Sequence, residues 1–361
     1  MRAVVKIGTS SITNALGELD DAALAKLCDE LVAARAAGHS VTLVCSGAIA
    51  AGMPALGLAK RPHDIGTLQA IAAVGQPRLM ERMSALLGGN GVVAGQVLLT
   101  RYDFLHRSQY VHVLETFSRM IDLGVVPVVN ENDTVADDEI RFGDNDLIAA
   151  LVANLIRADV LVMLTDTAGL FTADPRLDAE ASLIEQVVAV DEALDAAVGG
   201  AGSARGSGGM ATKLAAARVA AWSGVRAVIA AADAPGVVAD AIAGRAVGTV
   251  VAARPERLTS RKLWIAFAIG ASGRVVVDDG ARRALVSDGR SLLAAGVRAV
   301  EGEFDAESAV EVVDAAGRVF AKGLVTMDAR TVRAAAGRRT TDLPTGSPTE
   351  VIHRDDLVVL A

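Results

Sequence analysis

The chain is poor in several residue types, and each scarcity excludes a class of protein. Two cysteines among 361 residues, Cys28 and Cys45, are too few for a disulfide framework or a cysteine-based metal cluster. The five histidines are scattered without metal-ligand spacing, so the sequence predicts no metal site. Uninterrupted apolar runs fall short of the ~18 residues needed to cross a bilayer, and no signal peptide is visible at the start. A cytoplasmic, reducing location without membrane contact is therefore expected.

The balance of charged and hydrophobic residues excludes further classes of protein. The 35 basic and 43 acidic residues give a formal net charge of −8, and hydrophobic residues make up 52% of the chain against 22% for charged ones. That composition predicts a folded chain rather than a disordered one. The acidic balance argues against general binding to nucleic acids or anionic membranes. The length predicts roughly two or three domains.

Short β-branched runs alternate with helix-period segments over the first two thirds of the chain. One helix is predicted from Asp20, with Leu24, Leu27 and Leu31 on one face and Gly38 as its stop. Such alternation predicts an α/β fold with a doubly wound, mostly parallel sheet. In a sheet of this kind ligands bind at the carboxyl ends of strands. The strands are predicted at Arg2–Ile7, Val41–Cys45, Val92–Leu99, Val125–Asn130, Val160–Leu164 and Val225–Ala230.

The pattern changes near residue 256. Short strands follow, separated by glycines at intervals of roughly ten residues, which is typical of a small β-rich barrel or sandwich. We therefore predict one domain over residues 1–255 and a second over 256–361. Residues 262–361 contain 13 basic and 14 acidic side chains, so this second domain has almost no net charge.

Polar loops follow several of the predicted strands, and each allows two interpretations. Lys6 precedes three small residues, an arrangement that suits phosphate oxygens, although a strand-end lysine can simply extend to solvent. Ser46 opens a glycine-containing turn as a hydrogen-bonding or anion-binding serine, or as part of a plain turn. Residues 130–133 (NEND) and 143–146 (GDND) hold carboxylates and amides that could bind an ammonium group or orient lysines. The alternative for both is an acidic surface with a helix cap.

Two further loops could face a nucleotide. Thr165 and Asp166 end a strand, where a hydroxyl and a carboxylate commonly face a ligand crevice. Residues 206–213 (GSGGMATK) are glycine-rich and lead into a helix, so they could cradle phosphates with Lys213 reaching in. A flexible loop explains the same glycines, and the pattern is not that of a Walker A motif.

Taken together and in order, these segments resemble the amino acid kinase family. The resemblance narrows to those members that use ATP to phosphorylate the γ-carboxylate of L-glutamate, the first step of proline biosynthesis. Two later segments are similar to a PUA domain, an RNA-binding-type fold, so the second domain is expected to be a small PUA-like barrel. The kinase-like segments are VVKIGTSS (4–11), SGAIAAG (46–52), VNENDTV (129–135), FGDND (142–146), LTDTAGLFTADPR (164–176) and GGMATKLAAA (208–217); the PUA-like ones are SRKLWI (260–265) and EVIHRDDLV (350–358).

The resemblance implies a role for each matching residue. Lys6 and Lys213 would neutralise the transferring phosphoryl group, and Asp146 would hold the two lysines in place. ATP would act together with Mg²⁺, which arrives on its phosphates without a named protein ligand. The implied glutamate-binding residues are Ser46, Asp133 and Asn145, and the implied ATP-binding residues are Lys6, Thr165, Asp166, Ser207, Gly208, Gly209, Met210, Ala211, Thr212 and Lys213.

The resemblance also implies partners. These are feedback binding of proline, a homo-oligomer, and hand-off of the labile acyl phosphate to a glutamate-5-semialdehyde dehydrogenase. Two alternatives stay open: another acid kinase of the same fold, acting on acetylglutamate, aspartate or UMP, and an RNA-binding protein acting through the PUA-like domain. The appended domain argues against the first. The nearly neutral charge of that domain gives the second little support.

Overall fold

The computed structural model describes residues 1–104, 106–136, 144–173, 175, 177–178, 180–187, 209–339, 341 and 349–360. The chain divides into two compact units, Met1–Arg257 and Leu258–Ala361. No helix within the described ranges has both the length and the apolarity needed to cross a membrane.

An eight-stranded sheet forms the centre of the first unit. Its strands are β1 (Arg2–Ile7), β2 (Ser40–Cys45), β3 (Ala94–Leu99), β4 (Val126–Glu131), β5 (Val160–Thr165), β6 (Gln186–Val187), β7 (Arg226–Ala231) and β8 (Thr249–Val251). All six predicted strands are confirmed, with ends that differ by at most two residues. The strand order is β3-β4-β2-β1-β5-β7-β8-β6, and neighbouring strands are parallel except β7 and β8.

Helices connect these strands. The predicted first helix is confirmed: the Asp20 carboxylate caps it by accepting from two backbone N–H groups, and its three predicted leucines are buried. Gly38 follows it in the left-handed region at φ +85°, a conformation that glycine adopts without strain. The helices are α1 (Asp21–Ala36), α2 (Ala48–Gly52), α3 (Ile65–Gly88), α4 (Arg107–Asp122), α5 (Asp144–Leu155), α6 (Gly209–Trp222) and α7 (Val237–Ala243).

The central strands are covered on both faces. Five consecutive residues of β1 are buried, and successive strand residues point to opposite faces of a sheet. This is the doubly wound arrangement that the sequence predicts. Because β1 is parallel to β2 and β5, with Lys6 level with Val44 and Met163, the carboxyl ends of these strands lie at one edge. The loops after β1, β2, β4 and β5 therefore open toward the same side of the sheet.

The second unit contains a six-stranded sheet in the order β10-β14-β13-β12-β9-β11. Its strand pairs are antiparallel except β9 with β12. One apolar core, which includes Val275, Phe320 and Ile352, lies against it. This is the small β-rich domain that the sequence predicts. Its strands are β9 (Gly273–Val277), β10 (Leu292–Leu293), β11 (Val297–Gly302), β12 (Ala309–Val313), β13 (Val319–Val325) and β14 (Glu350–Val359), and its helices are α8 (Ser260–Leu263), α9 (Asp279–Asp288) and α10 (Ala329–Ala335).

Candidate active site

Three charged side chains meet at the carboxyl edge of the first sheet. The Lys6 ammonium nitrogen lies 2.6 Å from Asp146 Oδ1, and the Lys213 ammonium nitrogen lies 3.4 Å from Asp146 Oδ2. Their exposed fractions are 4% for Lys6, 1% for Asp146 and 8% for Lys213. Lysine and aspartate are almost never buried to this degree unless they are paired. Two ammonium groups share one carboxylate, so the cluster carries one uncompensated positive charge.

Two helices deliver Asp146 and Lys213 from their first turns. α5 begins at Asp144 and α6 at Gly209, and the two helices pack against each other. The Thr212 hydroxyl donates to Asp146 Oδ2 at 2.8 Å, and Lys213 Nζ donates to the Gly209 carbonyl at 3.1 Å. Both helices therefore direct their amino ends toward the cluster, where free N–H groups and the helix dipole favour an anion.

Burial and charge act in opposite directions on these groups. Burial disfavours the Asp146 carboxylate, yet the charges of Lys6 and Lys213, together with donated hydrogen bonds, hold its pKa below the ordinary 3.8. Burial lowers the pKa of Lys6, and Lys213 adds to that effect while Asp146 opposes it. Asp146 thus stays ionised at neutral pH, and an arriving anion would relieve the repulsion between the two lysines.

Gly8 lies next to the Lys6 ammonium group. A Cβ built on Gly8 would lie 3.6 Å from Lys6 Nζ, an ordinary van der Waals distance. Glycine at this position adds no side-chain atoms where a phosphoryl oxygen would have to approach the lysine. Within the described ranges, no group of three or more His, Cys, Asp or Glu side chains is placed to hold a metal ion.

A second polar group lies at the ends of β2 and β4. The Asn145 amide nitrogen donates to Ser46 Oγ at 3.1 Å and to Asn130 Oδ1 at 3.0 Å. Asn145 is the immediate neighbour of Asp146 in the first turn of α5. The predicted substrate residues Ser46 and Asn145 are therefore in direct contact, and Asn145 precedes Asp146 of the lysine cluster in the sequence.

Asp133, the third predicted substrate residue, lies in the turn after β4. It interacts electrostatically with Arg61, an exposed side chain that precedes α3. Partial burial lowers the pKa of Arg61, and Asp133 opposes that shift. The structure thus places Asp133 beside a guanidinium group.

The predicted nucleotide residues lie at the end of β5 and the start of α6. The buried Thr165 hydroxyl donates to Asp166 Oδ1 at 3.1 Å, and the Thr165 carbonyl accepts from the Ala232 N–H at 2.7 Å. Residues 209–213, including Met210 and Ala211, form the first turn of α6. Ser207 and Gly208 lie outside the described residues.

Sequence reasoning missed Gln76. This glutamine lies in the middle of α3, is 9% exposed, and accepts a hydrogen bond from the Asn130 amide at 2.7 Å. The available signal was a polar residue between Gly75 and Pro77, directly after the apolar run Ala70–Val74. Glycine and proline so close together are unusual in a helix interior.

Comparisons with known proteins identify the family to which the chain belongs. Residues 1–231 match the amino acid kinase family and residues 273–345 match the PUA domain. Glutamate 5-kinase from Moorella thermoacetica is 44% identical over 99% of this chain and 96% of its own length, and glutamate 5-kinase from Gloeobacter violaceus is 46% identical over 99% of both. Among solved structures, UMP kinase from Bacillus anthracis covers 70% of this chain and 95% of its own, with 15% identity and a TM-score of 0.48. The chain belongs to the amino acid kinase family, and within it to the glutamate 5-kinases.

Proposed function

We propose that the chain transfers the γ-phosphoryl group of ATP to the γ-carboxylate of L-glutamate, giving L-glutamyl 5-phosphate and ADP, the first step of proline biosynthesis. The observation that carries this proposal is the Lys6–Asp146–Lys213 cluster, two buried ammonium groups around one carboxylate. Full-length relatives that carry the name glutamate 5-kinase support the choice of substrate.

The reaction requires little covalent chemistry from the protein. The glutamate γ-carboxylate is already an anion at neutral pH, so its oxygen attacks the γ-phosphorus without a general base while the bond to ADP breaks. The barrier comes from alignment and from the repulsion between two anions. Lys6 and Lys213 offset that repulsion where negative charge develops on the phosphoryl oxygens. Asp146 orients both lysines and does not touch the reacting atoms.

Residues at the same edge of the sheet would bind the two substrates. Ser46, Asp133 and Asn145 would hold glutamate, while Thr165, Asp166 and residues 207–213 would hold ATP. Mg²⁺ would enter on the ATP phosphates and neutralise part of their charge. We assign the kinase to residues 1–255 and the PUA-like domain to residues 256–361.

The proposal also covers the cellular location, the oligomeric state and the partners of the protein. We place the reaction in the cytoplasm, in keeping with the free, buried thiols of Cys28 and Cys45, which suit a reducing compartment. We further propose that the protein forms a homo-oligomer, that proline binds to it as a feedback ligand, and that it hands the acyl phosphate to a glutamate-5-semialdehyde dehydrogenase.

The first experiment is a substrate comparison with MgATP. L-Glutamate, N-acetylglutamate and aspartate are tested by trapping the acyl phosphate as a hydroxamate, and UMP is tested by ADP release. Turnover of L-glutamate alone is expected. Turnover of another substrate in its place would keep the kinase chemistry and overturn the assignment of Ser46, Asp133 and Asn145. Silence with all four would overturn the proposed function.

The role of the lysines is tested by Lys213→Ala. Loss of a charge that acts on the developing phosphoryl charge is expected to lower kcat by roughly 100-fold or more, with a glutamate KM within about threefold of the wild-type value. Lys262→Ala, which removes a lysine of the second unit, is the control and keeps full activity. A large rise in glutamate KM with an intact kcat would contradict the catalytic role.

A further inference from the structure

A chain of hydrogen-bonded polar side chains runs from the surface to Ser46. Gln76 donates through Nε2 to Gln96 Oε1 at 2.9 Å and accepts through Oε1 from Asn130 Nδ2 at 2.7 Å. Asn130, only 1% exposed, accepts in turn from Asn145, which also donates to Ser46. We call these five side chains the amide relay. Gln96, at its outer end, is exposed to solvent.

One backbone N–H group fixes the direction of the amide relay. The Glu131 N–H lies 2.9 Å from Asn130 Oδ1 and 3.2 Å from Asn145 Oδ1. A backbone N–H can only donate, so both amide oxygens must face it. Turning either amide over would set donor against donor in a buried site, at the cost of an unsatisfied polar group. Asn130 therefore points its NH₂ group at Gln76, which must present its oxygen.

This direction determines what Ser46 offers to a substrate. Both hydrogens of the Asn145 amide are used, one on Asn130 and one on Ser46. Ser46 Oγ is thus an acceptor within the relay, and among the described residues no acceptor is assigned to its own hydrogen. The Ser46 hydroxyl hydrogen is therefore left to donate, and a carboxylate oxygen is a suitable acceptor for it.

Close packing of α3 fixes Gln76 relative to Ser46. A Cβ on Gly75 would overlap the Ala48 carbonyl oxygen and lie 2.5 Å from the Gly52 nitrogen. α3 therefore presses against the backbone of α2, which begins two residues after Ser46. The same turn of α3 that holds Asn130 through Gln76 also supports the loop that carries Ser46.

We propose that Gln76 is a positioning residue for the amino-acid substrate: through Asn130 and Asn145 it holds the Ser46 hydroxyl as a donor to a carboxylate oxygen of that substrate. The inference rests on the proposed function and adds to it a residue that does not touch the substrate. Its removal should weaken glutamate binding and leave ATP binding unaffected.

Gln76→Leu is the first test. The Asn130 NH₂ group loses its acceptor, and because the Glu131 N–H holds the amide oxygen, Asn130 can reach a new acceptor only by shifting as a whole, which displaces Asn145. The glutamate KM is expected to rise about tenfold or more, equivalent to about 1.4 kcal/mol, while the ATP KM and kcat stay within about threefold. Gln76→Met keeps the side-chain length but lacks the amide. It should give the same rise in the glutamate KM, again with little change in the ATP KM and kcat.

Gln76→Glu should restore glutamate binding. A carboxyl oxygen accepts from Asn130 in either protonation state, and the exposed Gln96 amide can turn to suit either one. One control accompanies it. Leu79→Ala destabilises α3 at a fully buried position outside the relay, and it should keep the wild-type glutamate KM.

The outcomes separate the two proposals. An active wild type whose Gln76→Leu and Gln76→Met variants keep the wild-type glutamate KM overturns the relay alone. Equal rises in the glutamate and ATP KM, the same rise in Leu79→Ala, or no recovery in Gln76→Glu would also overturn it, because each indicates general damage to the fold. A wild type that does not turn over glutamate overturns the proposed function together with the inference.

Discussion

Asp146 is the residue on which both lysines depend. It is nearly inaccessible to solvent, and the shorter of its two ion pairs is with Lys6, at 2.6 Å against 3.4 Å for Lys213. Without the carboxylate, the two buried ammonium groups would lose the counter-ion that the described residues provide. Asp146 therefore keeps two positive charges in place at the site proposed to receive the phosphates of ATP.

The pKa of Asp146 gives this role a pH dependence. Because its folded pKa lies below 3.8, the folded chain keeps the carboxylate ionised where the unfolded chain binds a proton. Asp146 thus contributes stability above about pH 4, and that contribution is lost as pH falls through the folded pKa. Asp146→Asn is expected to lower the free energy of unfolding by roughly 3–5 kcal/mol at pH 7. The difference between variant and wild type should shrink in acid.

Urea unfolding at a series of pH values from 7 downward measures this difference. Asp166→Asn, which changes a carboxylate outside the ion-pair cluster, is the matched control and should show a small difference at every pH. A difference for Asp146→Asn that is constant with pH, or that grows in acid, would show that the ionised carboxylate is not the stabilising group.

At the scale of elements, α3 links packing to substrate binding. Its Gly75 lies so close to α2 that a methyl group would overlap the Ala48 carbonyl oxygen. Gly75→Ala should therefore cost about 1–3 kcal/mol of stability through overpacking. Because α2 follows Ser46 directly, the glutamate KM should rise in the same variant.

Gly88→Ala on the same helix is the control for Gly75→Ala. Nothing lies within 4 Å of a Cβ at Gly88, and alanine favours a helix over glycine by about 0.5–1 kcal/mol. This variant should be slightly more stable, with an unchanged glutamate KM. Thermal unfolding and glutamate titration of both variants test this prediction. If the two variants had the same stability and the same glutamate KM, α2 and α3 would adjust to the added methyl group without affecting Ser46.

The central strands of the first sheet were predictable from the sequence because both of their faces are buried. A parallel strand buried on both faces is a continuous apolar run, so β1, β2, β4 and β5 were visible in the sequence. The small and polar residues that end each run mark the carboxyl edge. Lys6, Ser46 and Thr165 could therefore be assigned to one side of the sheet from local pattern alone.

The contacts between distant residues were not predictable in this way. A glutamine within a helix is ordinarily an exposed residue, and the partner that reveals Gln76 lies 54 positions later, at Asn130. The residues of α5 could equally be an acidic surface with a cap; only the family resemblance assigned Asp146 to the two lysines. Both features depend on the packing of separate elements, which no short window of sequence contains.

At the scale of the whole molecule, each unit has a core of its own. One buried cluster includes Val5, Leu43 and Val228 of the first sheet, and another includes Val275, Phe320 and Ile352 of the second. The lysine cluster and the amide relay lie entirely within Met1–Arg257. The side chains proposed for catalysis and substrate binding therefore belong to one compact unit.

A chain of residues 1–257 should accordingly fold and phosphorylate glutamate with kcat within about threefold of the full-length value, since every side chain assigned to the reaction lies within Met1–Arg257. Circular dichroism, unfolding and the hydroxamate assay on both chains test this, and sedimentation with and without proline compares their assembly and response. Residues 258–361 alone should give a folded β-rich spectrum, which serves as the control for the cut. An inactive but folded 1–257 chain would mean that the second unit contributes to catalysis, because the first unit already contains every side chain assigned to the reaction.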